Sequence, residues 1–155
     1  AGAGALALRQ TDALLDAAPG PMVSARGQAE VAALLRAAGA ERVVLCDYEA
    51  WGSLDPLVPE LRLRHAWPAA AVAAGAPGMT EALLREAEGG HLLTLRASAP
   101  FIYNWSADGP ALEAAAARLG LRVRPAGALP GRRAALWSVE PAAAPPTGPA
   151  GGARP

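Results

Sequence analysis

Lysine is absent from this chain: all 14 basic residues are arginine. Fourteen acidic residues balance them, the formal net charge is zero, and no run of one sign occurs. A chain without a basic patch lacks the electrostatic footprint of a nucleic-acid-binding protein, and the same balance argues against an anionic membrane surface. Cysteine occurs once, as Cys46. One thiol excludes an internal disulfide framework and any Cys-based zinc site. Set in an apolar run, it reads as a small buried hydrophobe. No apolar stretch approaches the roughly 20 residues of a membrane span.

Aromatic residues make up 5% of the chain and hydrophobic residues 52%, much of the latter alanine. The core must therefore rest on a modest set of Leu and Val. The arginine-for-lysine usage and the load of Ala, Gly and Pro have the look of a G+C-rich bacterial genome. The first residue is Ala1 and no signal-peptide pattern follows, so the chain is expected to be a processed product or a piece of something longer. The 155 residues suit one domain. We expect a single α/β domain over residues 1–140. The remainder, 141–155, reads PAAAPPTGPAGGARP and should be a disordered tail, since it has no core-forming residue.

The stretch from Glu41 to Asp55, ERVVLCDYEAWGSLD, organises the rest. Val43 to Cys46 is too short for a helix and β-branched at its start, and it follows a helical pattern. It therefore reads as a buried strand of a parallel sheet, flanked by parallel neighbours. Before it, Ala5 to Ala17 predicts a helix stopped by Pro19-Gly20-Pro21, then a short strand Met22–Ser24. In the helix Gln28 to Ala38, Val31, Leu34, Leu35 and Ala38 share one face; Ser24 is its expected cap and Gly39 its stop. After the central strand, Ala50 to Pro59 leaves room for a short helix only, with Gly52, Pro56 and Pro59 as interruptions. Leu61 to His65 alternates as a half-exposed strand, and Trp67 to Gly78 reads as a loop. Thr80 is the expected cap of a helix to Ala87 that Gly89-Gly90 ends. His91 to Leu95 is a strand, Ser98 to Ser106 a loop, and Asp108 caps a helix with Pro110 in its first turn and Leu112 and Leu119 inward. Leu121 to Arg124 should be a strand, turned by Gly127, Pro130 and Gly131 into an antiparallel partner at Ala134 to Val139. This order predicts an α/β fold: a Rossmann-like three-layer sandwich with a mostly parallel sheet and an antiparallel edge hairpin at its C-terminal end.

Phosphate-binding signatures are missing after the first two strands: Ser24–Gln28 and Asp47–Gly52 match neither GxGxxG nor a P-loop. No cofactor is therefore expected. No GxSxG surrounds any serine, so a nucleophile elbow is not supported. Neither His65 nor His91 stands at metal-ligand spacing from a Cys or Glu, and both read as satisfied or exposed histidines. Asp47 and Glu49 are paired carboxylates at a strand end. They suit a sugar hydroxyl, a metal or acid–base work, or more simply a helix cap and a solvated charge. Tyr48, Trp51, Trp67, Phe101, Tyr103 and Trp105 all follow strands, so a parallel sheet would gather them at one edge. Together with Asn104 they would form a carbohydrate or partner surface, or plug the sheet end. The expected ligand-binding set is Asp47, Tyr48, Glu49, Trp51, Asn104 and Trp105, and no catalytic residue is assigned.

Two passages, RVVLCDYEAWGSLDPLVPEL from Arg42 to Leu61 and LEAAAARLGLRVRPAGALPGRRAALWSVEP from Leu112 to Pro141, resemble the soluble C-terminal domain of multi-spanning bacterial glycosyltransferases of the dolichyl-phosphate-mannose mannosyltransferase (GT-C) type. The likeness extends over Pro21 to Pro141 as an order of elements, and the Ala/Gly/Pro segment Trp67 to Gly78 departs from it. It implies a lipid-phosphate-sugar donor for the whole enzyme, catalysis in a membrane portion, and an extracytoplasmic position for this domain. The chain is then expected to be a non-catalytic accessory domain that positions a carbohydrate or lipid-linked sugar acceptor. Two other readings stand beside it: a free-standing small α/β enzyme or ligand-binding protein with its site at Asp47, Tyr48, Trp51 and Asn104, and a structural interaction module docked by its aromatics.

Overall fold

The computed structural model describes residues 25–46, 48–66, 76–95, 109–132 and 134–142. The expected helix Ala5 to Ala17, strand Met22–Ser24, loop Ser98 to Ser106, the caps Ser24 and Asp108, and most of the C-terminal tail lie outside these residues. Among the described residues four helices and five strands alternate as α1 (Ala25–Ala37), β1 (Arg42–Leu45), α2 (Tyr48–Leu54), β2 (Arg62–His65), α3 (Ala76–Ala87), β3 (Gly90–Leu95), α4 (Gly109–Arg118), β4 (Leu121–Leu129) and β5 (Ala134–Pro141). No helix among them is long and apolar enough to cross a membrane.

The sheet order is β2-β1-β3-β5-β4. β1 lies between two parallel neighbours, β2 and β3, as its buried apolar run predicts. The other two ladders are antiparallel, so the sheet is mixed and the expectation of a mostly parallel one is corrected. Only β5 runs against the rest. The α4 crossover leaves a one-strand gap between β3 and β4, and β5, returning through the tight turn Pro130–Arg132, fills it. A single reversed strand in an interior place makes two antiparallel ladders.

Strand alternation divides the core between the two sheet faces. Val44, Leu92 and Val139 join Met79, Leu83 and Leu84 of α3 and Leu112, Ala115 and Ala116 of α4 on one face. Val43, Leu45, Leu93 and Leu136 join Val31, Ala32 and Leu35 of α1 and Ala50 and Leu54 of α2 on the other. Leu34 and Leu119 complete these helix faces from half-buried positions. Cys46 is buried among the first group, as its apolar setting predicts.

Several boundaries move, each for a local reason. α3 begins at Ala76, so Thr80 lies inside the helix, buried, and is not its cap; Pro77 falls in the first turn, where its missing N–H costs nothing. Gly52 sits within α2 and does not break it; the chain tightens into a 3-10 turn at Asp55–Leu57, with Pro56 in it. β4 does not turn at Gly127 but continues to Leu129. As an edge strand it tolerates Pro125, and a bulge between Pro125 and Gly127 absorbs the irregularity. At Gly127 a Cβ would come within 2.6 Å of Leu34 Cδ1, so glycine there lets α1 close on the sheet. Gly39 ends α1 with φ of 63°, in the left-handed region that glycine enters without penalty.

Arginine side chains fasten the helix ends. Arg42 donates to the carbonyls of Glu86 and Glu88, occupying acceptors that the end of α3 leaves open. Arg36 of α1 donates to the Leu57 carbonyl and to Glu60, both at 2.6 Å. Trp137 of β5 donates its indole N–H to Thr94 Oγ1, which donates in turn to the Ala135 carbonyl, each at 3.1 Å.

Candidate functional site

The topology marks one place in the sheet. From β1 the chain passes through α2, on the α1 side, to β2 at one edge. From β3 it leaves through α4, on the opposite face, toward β4 at the other edge. Connections that part in opposite directions from adjacent parallel strands open a crevice at the strands' carboxyl ends, where ligands of open α/β sheets bind.

The side chains beside that point come from β1, α2 and β2. Leu45 and His65 are register partners at the ends of their strands. The His65 Nε2 lies 3.1 Å from the Cys46 carbonyl. A carbonyl only accepts, so the Nε2–H donates this bond. The Trp51 ring lies with its centroid 6.4 Å from that of His65, tilted by 43°, within the range over which aromatic rings attract one another. Trp51 is half-buried against the core that includes Leu45 and Leu54. The result is a fixed, partly open platform of two rings. The Cys46 thiol sits in the core of the other sheet face. His65 meets the backbone carbonyl of that residue.

Of the expected ligand-binding set, Trp51 is placed at the strand ends and Tyr48 and Glu49 are the first two residues of α2. Asp47, Asn104 and Trp105 lie outside the described residues, as do Trp67, Phe101 and Tyr103. His65 is the member that the ligand-binding set lacked. Alternation from Leu61 to His65 was a signal for its sheet face, but only the β1–β2 register could bring it to Trp51. Among the described residues, no three His, Cys, Asp or Glu gather as a metal site.

The second histidine, His91, lies near the start of β3, away from this platform. Burial lowers its pKa below the ordinary histidine value of 6.5. As pH falls below that value the unfolded chain takes up a proton that the folded chain refuses, so stability is present above it and is lost on acidification until the folded pKa is passed. We predict a steeper loss of the urea midpoint between about pH 7 and pH 5 in the native chain than in His91→Gln. Parallel losses in the two proteins would show that His91 does not carry this dependence. Glu60, whose carboxyl is lowered chiefly by its hydrogen bond from Arg36, is exposed and acts below 4.5, outside this window.

No protein-family model matches the chain, and comparisons with characterised proteins and with solved structures give no match.

Proposed function

We propose that this chain is a non-catalytic accessory domain of a membrane-bound glycosyltransferase, lying on the extracytoplasmic face and helping to position a carbohydrate or lipid-linked sugar acceptor. The observation that carries the reading is the Trp51–His65 platform at the carboxyl ends of β1 and β2, beside the topological switch between β1 and β3. A flat indole presented from a fixed frame suits the apolar face of a sugar ring, and a neighbouring imidazole supplies a hydrogen-bonding edge. The histidine is held by a backbone carbonyl and the cysteine is buried on the other face, an arrangement that supports binding over nucleophilic chemistry. The likeness of Arg42–Leu61 and Leu112–Pro141 to the GT-C soluble domain supplies the enzyme class. Within this reading the sheet with a helical cover on each face is a Rossmann-like three-layer sandwich, and the partner is the membrane portion of the same enzyme.

The test is calorimetry of the whole chain against a panel of mono- and oligosaccharides and a panel of nucleotides. We expect carbohydrate binding that Trp51→Ala abolishes, and nucleotide affinity no tighter than about millimolar. Micromolar binding of a nucleotide cofactor would replace this reading with that of a small enzyme. Sugar binding unaffected by Trp51→Ala would move the site away from the platform.

A further inference from the structure

We propose that His91, Ser138 and Arg124, a row across β3, β5 and β4 at the end of the sheet opposite Trp51, form a binding site for a small oxyanion, a carboxylate or a phosphate group. The register sets them side by side: His91 is directly opposite Ser138, and Ser138 directly opposite Arg124. Directly opposed residues of an antiparallel pair share a face, with Cβ atoms about 4.5–5.5 Å apart. His91 and Ser138 are half-buried and Arg124 is exposed, so the row is open to solvent.

Arg124 supplies the positive charge of the row. The nearest basic neighbour along β4, Arg122, is engaged by Glu140 of β5 at 3.5 Å. That pair takes up the carboxylate that would otherwise oppose an incoming anion. Among the described residues Arg124 has no such counter-ion, and its charge is left for a ligand.

The third group is the imidazole. His91 Nδ1 is buried with no hydrogen-bond partner, an arrangement that asks for an explanation in a folded protein. An unprotonated Nδ1 is the less costly form in such a place, because a buried orphan N–H is rarer than an unused acceptor. The ring then carries its proton on Nε2, and burial holds it in this neutral form. Nε2–H, the Ser138 hydroxyl and the Arg124 guanidinium are three donors that the register sets side by side on one face, the kind of set an oxyanion needs.

The experiment is an amide and histidine-ring NMR titration of the 155-residue chain with sodium phosphate and, separately, with sodium acetate, at ionic strength held constant by sodium chloride. We expect saturable shifts at residues 91, 124 and 138 for one of the two anions, with a dissociation constant near 1 mM, and a loss of about tenfold or more in Arg124→Gln. Ser138→Ala should weaken binding less. Preference for phosphate or for acetate identifies the ligand class. Shifts that do not saturate, that chloride reproduces, or that survive Arg124→Gln unchanged would overturn the proposal. Arg124 is exposed, so its substitution leaves the core intact. The row shares no residue with the Trp51–His65 platform, and the two proposals stand or fall separately.

Discussion

Val44→Asp is expected to abolish folding. Val44 is fully buried in β1, paired with Arg64 of β2 on one side and Leu92 of β3 on the other, and its side chain belongs to the cluster covered by α3 and α4. The adjacent cation, Arg64, is exposed and already paired with Glu86, so a carboxylate there gains no partner inside the core. It must either be buried charged or take up a proton, and both cost several kcal/mol. Total stabilities of such domains are about 5–15 kcal/mol. The interior place of β1, between β2 and β3, removes the usual escape, in which an edge strand peels away and lets water in. Circular dichroism should show loss of the thermal transition. A soluble variant melting at the native temperature would sink the placement of β1 as a buried interior strand.

The second large effect is the pair Leu35→Ala and Leu84→Ala. Both residues are fully buried, one in each core, with the sheet between them. Each truncation removes three side-chain carbons and leaves a cavity, at a cost of about 2–5 kcal/mol. Because they share no partners, the two losses should add to within about 0.5 kcal/mol. The double variant should then lie near or beyond the stability limit, while each single variant remains folded with a lower urea midpoint. Strong non-additivity would show that the sheet transmits strain between its faces and that the two clusters are one energetic unit.

How much of this was legible beforehand differs from element to element. Helix faces were: Val31 and Leu35, or Leu112 and Leu119, repeat at helical spacing whatever lies opposite them. Helix stops were too, since Gly39 and Gly89 adopt positive φ, which is costly for other residues. The start of α3 was not. A Pro in a sequence reads as a break, yet Pro77 falls in the first turn and α3 extends on through Thr80. The course of β4 was not, because tolerance of Pro125 depends on β4 being at an edge, a fact about neighbours. In the candidate site, the strand-end position of Trp51 followed from the apolar run before it. Its meeting with His65 depended on pairing between segments that no local pattern links.

Local pattern dictates the alternation of helix and strand, the buried Val43–Cys46 run, and which side chains of a strand share a face, because these follow from periods of 3.6 and 2 residues along one segment. Tertiary structure alone decided the strand order. Insertion of β5 between β3 and β4 follows from the span of the α4 crossover and the tightness of the Pro130–Arg132 turn, which changes a mostly parallel sheet into a mixed one. It also decided the two juxtapositions of functional interest, Trp51 with His65 and His91 with Ser138 and Arg124. Contacts between residues far apart in the chain are fixed by register and packing, and register is a property of a pair of strands, which neither strand carries alone.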